Sequence, residues 1–364
     1  MERLSIKNRV KNVLSGDMSR RLVSFDLVKM LMMLWVVWGH LGLYGLVEAD
    51  RSVYMENAKI GVNMPVFFVM AGYFAAATYR NSKWSKIISR VVSYMWPHVT
   101  LPVACAFFLV VFFDESLRSV LWKIPFYWFL RTLAMIYFLC AVIFRLFPGN
   151  ARRWAAFLLA YCAMFFFPDL TRWWWSAQVI HMFPYFIFGL MVLDRWSLYR
   201  NVYLSVMCGV IYLTAVFIQG DSSVNGMSFW RGSVYWNEVL FNLFDFIAFF
   251  SRTIVGVTGS VFVLFAADLM VRKAPFIGWL ASLGRTSLGV YVIHEYPMQL
   301  IERHISFTPL SSNVRWLVAI AWFLVCHMIV LLIQHFKISR LFFFGDSGLI
   351  ENYFTRIFRR GLKV

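Results

Sequence analysis

Three ionisable residues, Asp26, Lys29 and His40, lie within one hydrophobic stretch of the sequence. Ionisable groups inside a membrane are costly, so they indicate a function. The eleven residues from Lys29 to His40 make about three helical turns, which puts both side chains on one face about 16 Å apart along the axis. Asp26 precedes Lys29 by one turn, where the two charges neutralise each other. The alternative is that Asp26 and Lys29 are interfacial anchors and His40 is a structural hydrogen-bonding residue.

A second polar stripe occurs nearer the C-terminus. Ser287, Tyr291 and His294 follow one another at steps of four and three residues, and therefore share one helical face. Such a stripe in lipid must face the interior of the bundle. We therefore expect His40 and His294 to lie on helices whose polar faces meet, as a buried reaction chamber or a transport pathway would require. Pro297 is expected to break this helix soon after His294.

The composition indicates an all-α, polytopic integral membrane protein. Of the 364 residues, 61% are hydrophobic and only 15% are charged, which excludes an ordinary soluble protein. The five cysteines lie in or beside apolar runs without metal-ligand spacing, so neither a zinc site nor a disulfide framework is predicted. The net charge of +17 comes from short basic clusters between apolar runs, which argues against nucleic-acid binding.

We predict about ten transmembrane helices with both termini in the cytoplasm. The predicted spans are roughly 25–47, 59–79, 91–113, 124–147, 154–168, 177–193, 201–219, 247–271, 282–302 and 314–336. Alternate loops are basic, which places them inside. These clusters are Arg80, Lys83, Lys86 and Arg90; Arg145, Arg152 and Arg153; Arg195 and Arg200; and Arg272 and Lys273. The first hydrophobic run is too long for a signal-peptide core, and we expect it to remain as a signal anchor.

The sequence divides into a basic cytoplasmic segment (1–24), a transmembrane domain (25–336) and a basic cytoplasmic tail (337–364). The stretch 234–250 is either an amphipathic surface helix or part of the eighth span. The longest connection on the non-cytoplasmic side contains three aromatic residues that either stack on sugars or belong to the interfacial aromatic belt. These are Trp230, Tyr235 and Trp236.

The second span combines small residues with a proline. Gly61, Ala71 and Gly72 predict the close approach of a neighbouring helix. Pro65 is expected to free a backbone carbonyl group inside the membrane.

These residues together resemble the membrane acyltransferase-3 family, which includes the O-acetyltransferases of bacterial surface glycans. The resemblance rests on Asp26, Lys29 and His40; on Met64, Pro65, Phe67, Phe68, Gly72 and Tyr73; on Arg90 and Pro97; and on Gly284, Ser287, Tyr291 and His294. Many members have Arg where Lys29 stands and Ser where Ala71 stands. In the fucose 4-O-acetylase-like branch, a His stands in place of Asn63.

The resemblance implies a multi-pass enzyme of the bacterial inner membrane, foremost an O-acetyltransferase. It would move an acyl group from cytoplasmic acyl-CoA, such as acetyl-CoA, to a hydroxyl of a surface or exported glycan: O-antigen, capsule or exopolysaccharide. Acyl-CoA would be a donor substrate, and no permanently bound cofactor or metal is expected. The partners would be a glycan or lipid-linked glycan and the bilayer. The competing interpretation is a transporter of a glycan or lipid-linked sugar, because buried His, Lys and Asp residues also form proton relays.

The same resemblance assigns roles to the candidate residues. His40 would be the general base, because an imidazole titrates near neutral pH. Lys29 would act with it at the donor end, where coenzyme A brings phosphate groups. The predicted substrate-binding residues are Asp26, Arg80, Lys86, Arg90, Ser287, Tyr291 and His294. For the basic loop, the positive-inside rule alone is the alternative explanation.

Overall fold

The computed structural model describes residues 20–48, 53–113, 128–166, 174–193, 200–222, 243–274, 276–305, 308–345, 348 and 350. These residues are almost entirely helical. The predicted N-terminal segment before residue 20, the tail beyond 350 and the aromatic residues Trp230, Tyr235 and Trp236 lie outside the described residues. The described helices, in chain order, are α1 Arg20–Leu43, α2 Val53–Asn81, α3 Trp84–Met95, α4 Pro97–Phe113, α5 Trp128–Leu146, α6 Asn150–Phe166, α7 Trp174–Phe188, α8 Val202–Ser222, α9 Leu243–Lys273, α10 Ile277–Leu283, α11 Ser287–Ile293, α12 Glu295–His304, α13 Arg315–His335 and α14 Lys337–Phe344.

Five segments of these helices are long and apolar enough to cross a membrane. They are Val23–Leu43, Gly61–Asn81, Trp128–Leu146, Phe250–Lys273 and Ser312–His335. Gln178–Leu193 and Val202–Ile218 are shorter apolar helices. A helical membrane protein is thereby supported, whereas the count of ten spans and the cytoplasmic placement of both termini stay predictions.

α13 shows how such a helix is arranged at the edge of the bundle. Its outward side chains Leu317, Val325 and Leu332 are strongly exposed, whereas its inward side chains Ala319 and Val330 are fully buried. An apolar outer face of this length would be unfavourable in water and is suited to contact with lipid tails.

α1 lies at the centre of the fold, packed against α9, α10 and α13. Phe25, Val28, Val37 and Leu41 are all fully buried in the core. A helix surrounded on several sides must be apolar around most of its circumference, as this one is. The few polar groups of α1 are therefore held among protein side chains.

The predicted close approach at Gly72 is confirmed. A Cβ atom on Gly72 would overlap the carbonyl group of Phe186 on α7. Conversely, a Cβ atom on Gly189, in the π-helical turn Gly189–Leu193 that extends α7, would overlap the carbonyl group of Val69. The two glycines let α2 and the end of α7 pack backbone against backbone. α2 continues through Pro65 without ending there.

Two of the predicted spans are interrupted helices. The segment predicted at 91–113 is divided between α3 and α4 at Trp96, directly before Pro97, because proline disfavours a helical conformation at the preceding residue. α9 begins at Leu243, so residues 243–250 of the stretch 234–250 continue into the eighth predicted span, whereas 234–242 lie outside the described residues.

The ninth predicted span, 282–302, is the most interrupted. It comprises the end of α10, a 3₁₀ turn at Gly284–Thr286, α11 and α12. The expected break near Pro297 is present and lies three residues before the proline, at His294, with Pro297 in the first turn of α12. A proline lacks the N–H group that would bond four residues back and its ring crowds that carbonyl group, so the interruption falls before it.

The interrupted segment runs alongside α1 in the same direction. Gly284 lies against Asp26 at the beginning of α1, and Leu310 pairs in parallel with Val47 just beyond its end. α13 then returns in the opposite direction, since Arg315 contacts the end of α1 and His327 contacts Thr286. One interrupted parallel segment and one antiparallel helix thus lie along the polar face of α1.

Candidate active site

A carboxylate with two cations lies near the beginning of α1. Lys29 Nζ is 2.8 Å from Asp26 Oδ1, which confirms the predicted pairing. Arg285 Nε approaches the other carboxylate oxygen, Asp26 Oδ2, at 3.7 Å. The Arg285 side chain is 64% exposed, against 27% for Lys29 and 17% for Asp26. Lys29 is therefore the inner cation of the group and Arg285 is the outer, more accessible one. Lys29 Nζ also lies 5.5 Å from the centre of the Phe74 ring.

The glycine before Arg285 allows the chain to approach Asp26 closely enough for Arg285 to join this group. A Cβ atom on Gly284 would overlap the backbone carbonyl group of Asp26, so only glycine permits this separation of the two chains. The 3₁₀ turn that contains both residues is thereby held against the first turns of α1. Thr286, the last residue of that turn, is fixed in turn by a 2.6 Å hydrogen bond with His327 Nδ1 on α13.

The two histidines predicted to face each other do so. His40 Nδ1 lies 2.8 Å from His294 Nε2, and the rings stack with centroids 4.9 Å apart and planes inclined by 10°. His294 is completely buried, whereas His40 is partly accessible. The imidazole that substrate can approach is thus the one on α1.

Both remaining polar positions of His294 are occupied. Its Nδ1 lies 2.8 Å from the carbonyl oxygen of Tyr291 and 3.1 Å from that of Val290. Its own carbonyl oxygen accepts a 3.1 Å hydrogen bond from Trp322 Nε1 on α13. Asn63, the position where the fucose 4-O-acetylase-like branch has a histidine, is buried on α2.

Arg315 holds the backbone of α1 just before His40. This arginine is 97% buried, with 3% of its surface exposed. Its Nε donates to the carbonyl oxygen of Trp38 at 2.9 Å and its Nη2 donates to that of Gly39 at 3.4 Å. The guanidinium carbon lies 3.8 Å from the centre of the Trp38 ring. A Cβ atom on Gly42 would overlap the guanidinium group, so the packing is tight.

A third polar group lies beyond the histidine pair, around Tyr44, the residue directly after α1. The Tyr44 hydroxyl donates a hydrogen bond to the carboxylate of Glu295, the first residue of α12. Gln299 Nε2 donates to the Tyr44 hydroxyl at 2.9 Å. The Tyr44 and His40 rings are in edge contact, with centroids 6.0 Å apart. Carboxylate, phenol and amide groups of this kind are hydrogen-bonding partners suited to hydroxyl groups.

The other predicted residues of the ninth span are buried near His294. The Tyr291 ring packs against Phe129, with centroids 5.2 Å apart, and against His294 at 5.9 Å. Ser287 is buried at the beginning of α11. Tyr291 therefore lies on the packed side of His294, and Ser287 is buried seven residues earlier in the chain.

The predicted residues of the basic loop occupy different surroundings. Arg80 is exposed, and its Nε donates to the carbonyl oxygen of Ala76 in its own helix. Arg90 on α3 interacts with the hydroxyl groups of Tyr94 and Tyr137, so it contributes to the packing of α3 on α5. Lys86 is partly exposed on α3. Their role in donor binding stays a prediction.

Sequence reasoning missed Arg285, Glu295 and Arg315. Asp26 was identified because it is an ionisable residue within a predicted span. Arg285 and Glu295 met the same criterion, since both lie within the ninth predicted span, 282–302. Arg315 begins the tenth predicted span and resembled an interfacial anchor.

A family model described as "Acyltransferase domain" matches residues 22–334 of the chain, which is most of its length. The match includes every residue of the three polar groups on α1 and its neighbours. Searches among curated proteins and among solved structures found no match.

Proposed function

Because the chain belongs to the membrane acyltransferase-3 family and is therefore a membrane acyltransferase, we propose that it transfers an acyl group, foremost acetyl, from cytoplasmic acyl-CoA to a hydroxyl of a surface or exported glycan. The observation that supports this most directly is the arrangement of α1. One uninterrupted helix carries a cationic group at Lys29 and a paired imidazole at His40. A long anionic donor needs a cationic group to bind it, and a neutral hydroxyl acceptor needs a base. The two groups must lie at separate positions along the helix.

We assign donor binding to the group formed by Asp26, Lys29 and Arg285. Coenzyme A carries phosphate groups, and Lys and Arg side chains form strong charge-assisted hydrogen bonds with phosphate oxygens. Asp26 keeps Lys29 and Arg285 together before the donor binds. The positive-inside rule places this end of α1 in the cytoplasm, where acyl-CoA occurs.

The reaction is assigned to His40. Its imidazole takes the proton from the acceptor hydroxyl while the hydroxyl oxygen attacks the thioester carbonyl carbon. The tetrahedral intermediate then collapses, the carbon–sulfur bond breaks, and the proton passes from His40 to the leaving thiolate. An ester and free coenzyme A are the products, and the imidazole returns to its neutral form.

The acceptor is assigned to the side of His40 away from the donor. Tyr44, Glu295 and Gln299 lie there, and their oxygen and nitrogen atoms match the hydrogen-bonding capacity of a sugar. In the predicted orientation this end of α1 faces away from the cytoplasm, as an exported glycan requires.

The test is acyl transfer by the purified full-length protein in lipid nanodiscs. Radiolabelled acetyl-CoA is supplied with lipid-linked glycans extracted from the host, and label in the glycan is measured. We expect His40→Ala to lower the rate by about two to four orders of magnitude, the range for loss of a general base. His335→Ala, at the exposed end of α13, is the matched control and should keep the wild-type rate.

Two results would contradict the proposal. One is normal glycan acylation by a folded His40→Ala protein. The other is wild-type protein that, reconstituted into sealed liposomes, moves glycan across the membrane without acylating it, which would favour the transporter.

A further inference from the structure

The contacts of His294 indicate a role for its side chain. This role rests on the proposed function. We propose that His294 is a positioning residue that fixes the tautomer of His40, so that the basic nitrogen of His40 is Nε2. His294 itself neither binds substrate nor exchanges a proton in this proposal. This differs from the substrate-binding role predicted from the sequence.

The argument begins with the carbonyl groups around His294. Carbonyl oxygens only accept hydrogen bonds, and those of Tyr291 and Val290 lie 2.8 and 3.1 Å from His294 Nδ1. That nitrogen therefore carries a proton. In a neutral imidazole the other nitrogen then has no proton and acts as an acceptor.

The next step concerns His40. Because His294 Nε2 is an acceptor, the 2.8 Å contact between the rings must be a hydrogen bond donated by His40 Nδ1. A neutral His40 with its proton on Nδ1 has its lone pair on Nε2. Two backbone carbonyl groups thus determine, through His294, which atom of His40 can accept a proton from the acceptor hydroxyl.

The surroundings of His294 keep this arrangement in place. The residue sits at the break between α11 and α12, and its backbone carbonyl group is tied to α13 by Trp322. Its side chain is completely buried. A buried site disfavours a charged imidazole, so His294 stays neutral and remains an acceptor.

This arrangement also assists the reacting state. When His40 Nε2 takes the substrate proton, the ring becomes positively charged and its Nδ1–H becomes a stronger donor. A hydrogen bond with a charged donor is roughly twice as strong as one between neutral groups. His294 therefore stabilises the imidazolium form without leaving its own neutral state.

The rival assignment makes His294 the base. Both of its ring nitrogens already contact protein groups, and none of its surface is exposed. A substrate could reach it only by displacing His40. The structure therefore assigns the reacting nitrogen to α1 and the fixing group to the α11–α12 break.

The test compares His294→Gln with His294→Phe in nanodiscs. The glutamine amide oxygen can accept the proton of His40 Nδ1, whereas phenylalanine fills the space and accepts nothing. We expect His294→Phe to lower kcat by about a hundredfold, within the range for an impaired general base. His294→Gln should keep kcat within about tenfold of the wild type on the same basis. KM for acetyl-CoA should be unchanged in both.

A second measurement does not depend on activity. In protein labelled with ¹⁵N-histidine, the His40 signals are assigned by their loss in His40→Gln. Nitrogen-15 NMR should show Nδ1 protonated and Nε2 unprotonated in the wild type. The matched control for labelling and folding is His181→Gln, which replaces a histidine on α7 away from the pair.

The outcomes are separable from those of the proposed function. A proton on His40 Nε2, or equal loss of kcat in the glutamine and phenylalanine variants, overturns the role of His294 even if glycan acylation is established. Absence of acylation by the wild type overturns the proposed function, while the NMR result still decides the tautomer. If His294→Phe does not fold, the NMR measurement on the wild type remains decisive.

Discussion

Asp26 interacts with two cations that come from different parts of the sequence. Lys29 comes from the next turn of the same helix, so the spacing alone predicted it. Arg285 comes from a turn more than 250 positions later, and its contact depends on how α10 packs on α1. The same division applies to the histidines: the sequence predicted that their faces meet, but not which nitrogen atoms meet. Local spacing is encoded in a few residues, whereas ring orientation depends on the whole of the surrounding packing.

The donor assignment predicts different effects for two substitutions of Lys29. Lys29→Ala should raise the dissociation constant for acetyl-CoA by about tenfold or more, the value of one hydrogen bond with a charged group. Lys29→Arg should retain most of the affinity, because the charge and the capacity to bind phosphate survive. Isothermal titration calorimetry in detergent measures both. Unchanged donor affinity in Lys29→Ala would refute the assignment.

Arg285 provides a second test of the same group. Arg285→Ala should also weaken donor binding, and the double variant with Lys29→Ala should lose more than either single variant. If Lys29 serves only to pair with Asp26, Asp26→Asn would instead restore binding to Lys29→Ala. The calorimetric comparison of these four variants with the wild type distinguishes a phosphate site from a structural ion pair.

At the scale of elements, the site depends on interrupted helices. Only the break near Pro297 was predicted, and it lies at His294; the break before Pro97 falls inside a stretch that was predicted as one span. The periodicity of polar residues can predict that they share one face of a helix, but it does not predict where that helix is interrupted. The break matters because His294 lies at it, with its ring Nδ1 against the carbonyl groups of Val290 and Tyr291.

Gly284→Ala tests the contact between α10 and α1. The added Cβ atom would overlap the Asp26 carbonyl group, so the two segments must separate. We expect a loss of about 1–3 kcal/mol in stability, typical of overpacking. Because Arg285 would move with the turn, KM for acetyl-CoA should rise as well. Thermal unfolding in detergent and steady-state kinetics measure the two effects.

Gly278→Ala, in α10 just before that turn, is the matched control. A Cβ atom there meets no atom within 4 Å. Alanine favours a helix over glycine by up to about 1 kcal/mol, so this variant should be as stable as the wild type or more so. Equal behaviour of the two variants would show that the close approach at Gly284 has no consequence for the site.

At the scale of the whole molecule, composition predicted a helical membrane protein, and the fold bears this out. The five segments that are long and apolar enough to span account for half of the ten predicted. The others are interrupted, shorter or partly outside the described residues. Hydrophobicity over a window identifies an apolar segment, but it does not distinguish a continuous helix from two short ones that meet at an angle.

Sidedness can be measured directly. In a cysteine-free background, a cysteine at Ser223 should react with a membrane-impermeant maleimide in intact spheroplasts, because alternate basic loops place it outside. Ser223 lies outside the described residues, one position after α8 in the sequence. A cysteine at Ser82, in the turn between α2 and α3, should react only after permeabilisation. If both positions need permeabilisation, the number of crossings between them is wrong and the acceptor must be cytoplasmic.

The distance along the chain between partners has a consequence for biogenesis. His40 and His294 are 254 positions apart, and Arg315 lies 277 positions after the carbonyl group of Trp38 that it binds. A chain is synthesised from its N-terminus, so α1 is made long before α12 and α13. During that interval the end of α1 enters the bilayer without its later partners, although Asp26 and Lys29 already neutralise each other. Ribosome stalling or truncation after α9 should therefore yield a nascent protein that membrane quality-control proteases recognise through α1.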